Sequence, residues 1–332
     1  MEERKKDHID LALNSQTLKD TLDDRFNYEP MFKPHPEGSP EPFDFLGKKQ
    51  KVPIWVSSMT GGTKMAGTIN RNLAKACNEF GMGMGLGSCR MIMEDDTYFE
   101  DFNVRPIMGD DLPLYTNLGI AQIEEFIESN SVDRINSLME RLQADGLVVH
   151  VNPLQEWCQP EGDHFKNAPI DTLKRLLDQT NFRIIVKEVG QGMGPKSLRA
   201  LMKLPLEAIE FAAFGGTNFA SVELARSAPA MKEHYEPITT VGHTAEEMLD
   251  LANHIFDTET EILCRQIIIS GGIKTFLDGY YLVKKSRLPA IYGQASGFLM
   301  HARENYEKLQ KYVDYQVKGW QLAEAYLIPK FD

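Results

Sequence analysis

The sequence predicts an α/β protein, a single (β/α)8 TIM barrel preceded by an N-terminal arm, and three observations carry that prediction. From Val52 onward, eight short apolar runs alternate with amphipathic stretches, the texture of repeated βα units on a parallel sheet. Each run is followed at once by glycines or polar residues, which is what a fold requires when its site is built from the loops after its strands. The 332 residues would fit one large barrel or two domains, and the count of eight units favours the barrel.

Residues 1–50 are polar and punctuated by Pro30, Pro34, Pro36, Pro40 and Pro42, with one helix predicted from His8 to Leu18, so they read as an arm. The barrel is expected over 51–332. Its strands are predicted at Val52–Ser57, Met82–Leu86, Leu114–Leu118, Leu147–Val151, Ile184–Val189, Ala208–Ala213, Ile267–Ser270 and Ala290–Tyr292. Amphipathic stretches predict helices at Thr68–Glu79, Ala121–Ser129, Arg134–Gln143, Ile170–Gln179, Lys196–Lys203, Phe219–Ala225, Ala245–Phe256 and Thr275–Lys285, with one last helix from about Ser296 to Ala325. The glycines of 81–87 offer no G-x-G-x-x-G frame, because Leu86 and Ser88 stand where glycines are needed, so a dinucleotide fingerprint is disfavoured. Small residues on a barrel strand instead let a flat ligand or a neighbouring side chain approach the backbone.

A net charge of −12 argues against sequence-independent nucleic-acid binding, which needs a basic face, so any anionic ligand must be held by local donors. Cys77, Cys89, Cys158 and Cys264 show no C-x-x-C spacing, and a first segment as charged as Glu2-Glu3-Arg4-Lys5-Lys6-Asp7 is no signal peptide; a reducing cytoplasm is expected. No apolar run approaches the roughly 20 residues of a membrane span. His150, Cys158 and His164 fit no compact zinc spacing.

The densest chemistry lies at His150-Val151-Asn152-Pro153-Leu154-Gln155-Glu156, where an imidazole, two amides and a carboxylate follow the fourth strand; a turn with an N-capping Asn is the plain alternative. Polar clusters also follow the other strands: Ser58-Met59-Thr60-Gly61-Gly62, Gly87-Ser88-Cys89-Arg90, Asn117, Gly215-Gly216-Thr217-Asn218, Gly271-Gly272 and Gly293-Gln294-Ala295. The glycines after strands seven and eight occupy the usual phosphate position of this fold. Lys187 on the apolar strand Ile184–Val189 would be costly to desolvate alone; it reads either as a cation facing an anionic ligand or as half of an ion pair with Glu156 or Glu188.

Taken in order, Arg4-Lys5-x-x-His8, Ser58-Met59-Thr60-Gly61-Gly62, Gly87-Ser88-Cys89-Arg90, His150-x-Asn152-x-x-Gln155-Glu156, Val186-Lys187-Glu188, Gly215-Gly216-Thr217 and Ser270-Gly271-Gly272 resemble the FMN-dependent type 2 isopentenyl-diphosphate isomerases over nearly the whole chain. The resemblance implies that Ser58, Met59, Thr60, Ser88, Asn117, Lys187 and Thr217 contact FMN, with Gly271, Gly272, Gln294 and Ala295 around its phosphate. It implies Glu156 as the Mg²⁺ ligand. Arg4, Lys5, Arg90, His150, Asn152 and Gln155 would face isopentenyl or dimethylallyl diphosphate, His150, Asn152 and Gln155 being the catalytic candidates, and NADPH would reduce the flavin. A homo-oligomer, a tetramer, is implied as well. Arg4 and Lys5 can act only if the arm folds over the barrel mouth as a lid. The chain departs from the family pattern at Phe276, where a glycine is usual and a bulky ring would narrow the phosphate loop, at Cys89, where Gln is more common, and at Lys284-Lys285-Ser286-Arg287. The rival readings are an FMN-dependent 2-hydroxy-acid oxidase, for which no paired histidine and arginine follow strand seven, and a flavin-binding protein without catalysis.

Overall fold

The computed structural model describes residues 2–331. Its strands are β1 (Phe26–Tyr28), β2 (Phe43–Phe45), β3 (Lys48–Gln50), β4 (Ile54–Val56), β5 (Gly83–Gly85), β6 (Leu114–Gly119), β7 (Gly146–His150), β8 (Ile184–Lys187), β9 (Ala208–Glu210), β10 (Ile267–Ser270), β11 (Ala290–Gln294) and β12 (Leu327–Pro329). Strands β4 to β11 close into a barrel in the order β10-β11-β4-β5-β6-β7-β8-β9, every pairing within it parallel. All eight predicted strands are present. Two end early for local reasons. After Lys187 the Glu188 carboxylate accepts the N–H groups of Gly190, Gln191 and Gly192 at 2.6–2.9 Å and turns the chain. After Glu210, Ala212 takes φ +43°, which no strand sustains.

Period-two alternation divides the barrel lumen into two layers. The lower layer is apolar: Trp55, Tyr115, Val148, Ile185, Ala208, Ile268 and Ile291 pack together with Phe45 and Leu46. Two residues further along each of those strands come Ser57, Asn117, His150, Lys187, Glu210, Ser270 and Gly293, so the same alternation that makes a dry floor makes a polar upper layer. The glycines of β5 serve the floor. A Cβ at Gly83 would lie 2.5 Å from the Trp55 ring, so it is a neighbouring indole, of the two visitors the sequence allows, that claims this space.

The hairpin β2–β3, whose residues had been grouped with the arm by composition, inserts Phe45 and Leu46 into the floor and closes the N-terminal end of the barrel. β1 pairs antiparallel with β12, clipping the chain's two ends together. The first helix runs Glu2–Ala12 instead of 8–18, and its described side chains are exposed. The expected last helix is two, Ser296–Ala302 and Tyr306–Tyr326, because the Asn305 side chain caps a fresh start by accepting the Lys308 N–H at 2.9 Å. The remaining predicted helices are found within a few residues of their expected ends. No described helix is long and apolar enough to cross a membrane.

Candidate active site

Above the polar layer, the loops after β8 to β11 and β4 border an open cavity. Of the residues expected around a flavin, Ser58, Lys187, Thr217, Gly271, Gly272, Gln294 and Ala295 line it. Two glycine loops meet there. A Cβ at Gly271, whose φ is +93°, would fall 2.1 Å from the Ala213 carbonyl oxygen, so this loop tolerates glycine alone. Among the described residues, the backbone N–H groups of Gly215, Gly216 and Gly272 donate to no protein acceptor, which leaves them for an anion. Gln294 is locked beneath, its amide donating to the Ile273 carbonyl at 3.2 Å and accepting from the Tyr312 hydroxyl at 3.0 Å.

Phe276 does not narrow this loop. Its ring lies against Gly319 of the helix Tyr306–Tyr326, where a Cβ would be 2.4 Å from it, and it is absent from the cavity wall. A glycine on the terminal helix thus makes room for the ring that replaces a glycine at the loop.

The cavity floor holds unsatisfied polar atoms. Among the described residues, Ser57 Oγ, Ser58 Oγ and Glu210 Oε2 are buried without a hydrogen-bond partner. The other Glu210 oxygen accepts from Ser270 Oγ at 3.3 Å, and that hydroxyl accepts the Ala212 N–H at 2.9 Å. Buried polar atoms left open in this way call for a partner supplied from outside the chain. Lys187 Nζ donates to the Glu188 carbonyl at 3.0 Å, and among the described residues it forms no ion pair, so the Lys187–Glu156 and Lys187–Glu188 pairs are not made.

A second polar group adjoins the first at the ends of β5, β6 and β7. Asn117 donates through Nδ2 to the Leu86 carbonyl at 3.0 Å, which leaves its Oδ1 to accept from His150 Nδ1 at 2.7 Å and fixes the imidazole's tautomer. Burial, reinforced by the charge of Lys187, pushes the His150 pKa down to about 3, so the ring is neutral at pH 7. Pro153 starts the short helix Pro153–Cys158, which presents Gln155 and Glu156. Asn152 Nδ2 donates to Glu156 Oε1 at 2.8 Å and to Gln155 Oε1 at 3.3 Å, while Asn152 Oδ1 is buried and unpartnered. Glu156 Oε2 accepts the Asp163 N–H at 2.8 Å. Arg90 pairs with Asp163 at 2.8 Å.

Met59 and Thr60, half-buried after β4, and Ser88, exposed after β5, are not among the residues that line this cavity. Arg4 and Lys5 are exposed on the first helix and make no hydrogen bond or ion pair among the described residues, so this structure does not bring them to the site. Three site residues escaped the sequence reading. Ser57 and Glu210 were signalled by alternation, each two residues beyond an apolar floor residue; Asp163, in the turn-like Pro160-Glu161-Gly162-Asp163, had no signal.

Comparison with known proteins turns this geometry into a family. The chain is 33% identical over 306 residues to an isopentenyl-diphosphate delta-isomerase of Rickettsia felis, covering 90% of this chain and 85% of that one. It is 31% identical over 288 residues to the enzyme of the same name from Mycolicibacterium gilvum, covering 84% and 79%. The chain belongs to the isopentenyl-diphosphate delta-isomerase family. It is an enzyme of that family, the one its motifs resemble. No protein-family model matches the sequence. Among solved structures, it is similar to a mandelate oxidase mutant with an FMN adduct (TM-score 0.57, 12% identity, 93% of this chain and 89% of the other) and to a flavocytochrome b2 mutant with pyruvate bound (TM-score 0.60, 12% identity, 91% and 72%). At that identity the likeness establishes the barrel and nothing about the reaction.

Proposed function

We propose that the protein interconverts isopentenyl diphosphate and dimethylallyl diphosphate as a flavin- and Mg²⁺-dependent type 2 enzyme. The observation that carries the reading is the pair of adjoining sites: a glycine-cradled cavity floored by unpartnered polar atoms, beside a cluster of amides, an imidazole and a carboxylate. FMN fits the first. Its polyhydroxyl chain would give Ser57, Ser58 and Glu210 the partners they lack, the N–H groups of Gly215, Gly216 and Gly272 would receive its phosphate, and Lys187 would face its ring system. Reduced by NADPH, the flavin supplies a proton donor and acceptor for an isomerisation with no net redox change.

The second group suits a diphosphate. Among the described residues no cluster of three or more His, Cys, Asp or Glu side chains gathers as a metal site, and Glu156 stands as a single carboxylate held at both oxygens. A lone carboxylate is the donor set Mg²⁺ accepts when phosphate oxygens and water complete its shell. Arg90 adds a cation. Asn152 occupies the Gln155 amide oxygen, which would leave the Gln155 NH₂ as a donor for the substrate. His150 enters neutral, and a bound diphosphate would favour its protonated form. An isolated alkene is a very weak base, so the pocket must exclude water around the reacting carbons, and closure of the first helix, Glu2–Ala12, over the mouth would do that while adding Arg4 and Lys5. We place the enzyme in the cytoplasm as a homo-oligomer, a tetramer in line with the family resemblance.

Proton NMR of isopentenyl diphosphate with the protein, FMN, NADPH and Mg²⁺ tests the reading. Dimethylallyl diphosphate should form with all three present and fail to form when any one is omitted from stripped enzyme. Isomerisation without flavin would refute it.

A further inference from the structure

We propose that Asp163 is a positioning residue that holds Arg90 and Glu156 in fixed relation, and so sets the geometry in which the diphosphate and its metal are received; this rests on the function proposed above. The residue touches both groups. Its backbone N–H donates to Glu156 Oε2 at 2.8 Å, and its Oδ2 accepts from Arg90 Nη1 at 2.8 Å. The same oxygen accepts from Gln122 Nε2 at 2.8 Å, and the Gln122 Oε1 accepts the Gly119 N–H at 3.0 Å, so the carboxylate is braced against the end of β6. The rest of its loop is anchored separately: Glu124 accepts the backbone N–H groups of Lys166 at 3.0 Å and Asn167 at 2.8 Å.

Two physical consequences follow. Arg90 lies in an exposed turn with its side chain half in solvent, and an untethered arginine there would lose considerable rotamer freedom on meeting a ligand. Asp163 removes that freedom beforehand. It engages one guanidinium nitrogen and leaves the remaining donors of the fork for phosphate oxygens. The competing role is a counter-ion that the diphosphate must displace. The bracing by Gln122 favours positioning, because a carboxylate fixed from behind and bonded to a single nitrogen has no need to leave.

Calorimetric titration of Mg²⁺ with inorganic pyrophosphate into the FMN-loaded full chain separates these roles. Arg90→Ala and Asp163→Ala should each weaken binding roughly tenfold or more, the size expected when a hydrogen bond to a charged group is lost, and the double variant should bind no more weakly than either single one. Asp163→Asn should stay within about threefold of wild type, because both side-chain bonds fall on one oxygen that an amide oxygen can replace. Melting temperature and flavin content report on folding. If Asp163→Ala does not fold, Gln122→Ala releases the same carboxylate and should weaken binding in the same direction; unchanged affinity there overturns the proposal. Wild-type affinity in Asp163→Ala, additive losses in the double variant, or tighter binding in either Asp163 variant, the counter-ion result, also overturns it. Unchanged binding in Arg90→Ala would remove the diphosphate reading itself, and the proposal with it.

Discussion

Lowering the pH should destabilise this protein through His150, and the size of the effect follows from the structure. Burial first, and the Lys187 charge second, hold the folded-state pKa near 3, against an ordinary value of 6.5 in the unfolded chain. Above pH 6.5 the ring is neutral in both states and contributes no pH dependence. Below it the unfolded chain binds a proton that the folded chain refuses, so stability present above 6.5 is lost as pH falls toward 3. The slope approaches about 1.4 kcal/mol per pH unit, and integration from pH 7.5 to 5 gives about 2 kcal/mol. Glu188 works in the opposite direction, since burial raises its pKa and acid relieves it, so the wild-type curve alone does not isolate the imidazole. The His150→Gln variant does, and its amide can still donate to Asn117 Oδ1. Urea unfolding of both proteins at pH 7.5, 6.5, 5.5 and 5 should show wild type losing about 2 kcal/mol more than the variant across the range. Parallel curves would refute the claim that this histidine is kept neutral by the fold.

Glu156→Gln should raise the Mg²⁺ concentration needed for half-maximal activity by at least tenfold while FMN stays bound, read by metal titration beside the flavin absorbance. Lys187→Met should keep the fold and raise the pKa of the reduced flavin, since losing about 1.4 kcal/mol of screened attraction shifts a pKa by about one unit; an anaerobic absorbance titration superimposable on wild type would refute the assignment. Removing residues 1–7 should raise KM for isopentenyl diphosphate at least tenfold, about 1.4 kcal/mol, with flavin content and Tm near wild type; an unchanged KM would show that the first helix takes no part in binding.

The barrel was legible because two periodicities coincide on each βα unit: an apolar run of strand length, then a polar or glycine step at its carboxyl end. Alternation also contained more than was drawn from it. Trp55 to Ser57 and Ala208 to Glu210 are the same two-residue stride as Ile185 to Lys187, yet only the lysine stood out, because an isolated cation between aliphatics is conspicuous and a serine is not. The hairpin Phe43–Gln50 was obscured by the prolines and charges around it: only Phe45 and Leu46 enter the floor, and two residues make no period. The break at Arg303-Glu304-Asn305 was missed because the residues on either side favour helix, and the Asn305 cap that restarts it is a single side chain. Asp163 lay beyond any pattern, since its partners Arg90, Gln122 and Glu156 come from three different βα units and meet only when the barrel closes.

The acidity of the chain gains its meaning from how the two candidate anion sites are made. With a net charge of −12, the protein's overall field repels phosphates, and a site built from exposed lysines would have to work against that field. The cavity between the glycine loops eases the conflict by offering backbone N–H groups, which carry no net charge. The cluster at the end of β7 takes a different course: its carboxylate and its neutral imidazole add no positive charge of their own, and Arg90 arrives already paired with Asp163. On the function proposed above, further positive charge would come from Arg4 and Lys5 of the first helix and with the ligand itself, as a metal–diphosphate complex in place of the free anion. On that reading Mg²⁺ would be as much the means by which an acidic protein admits a diphosphate as a part of the reaction.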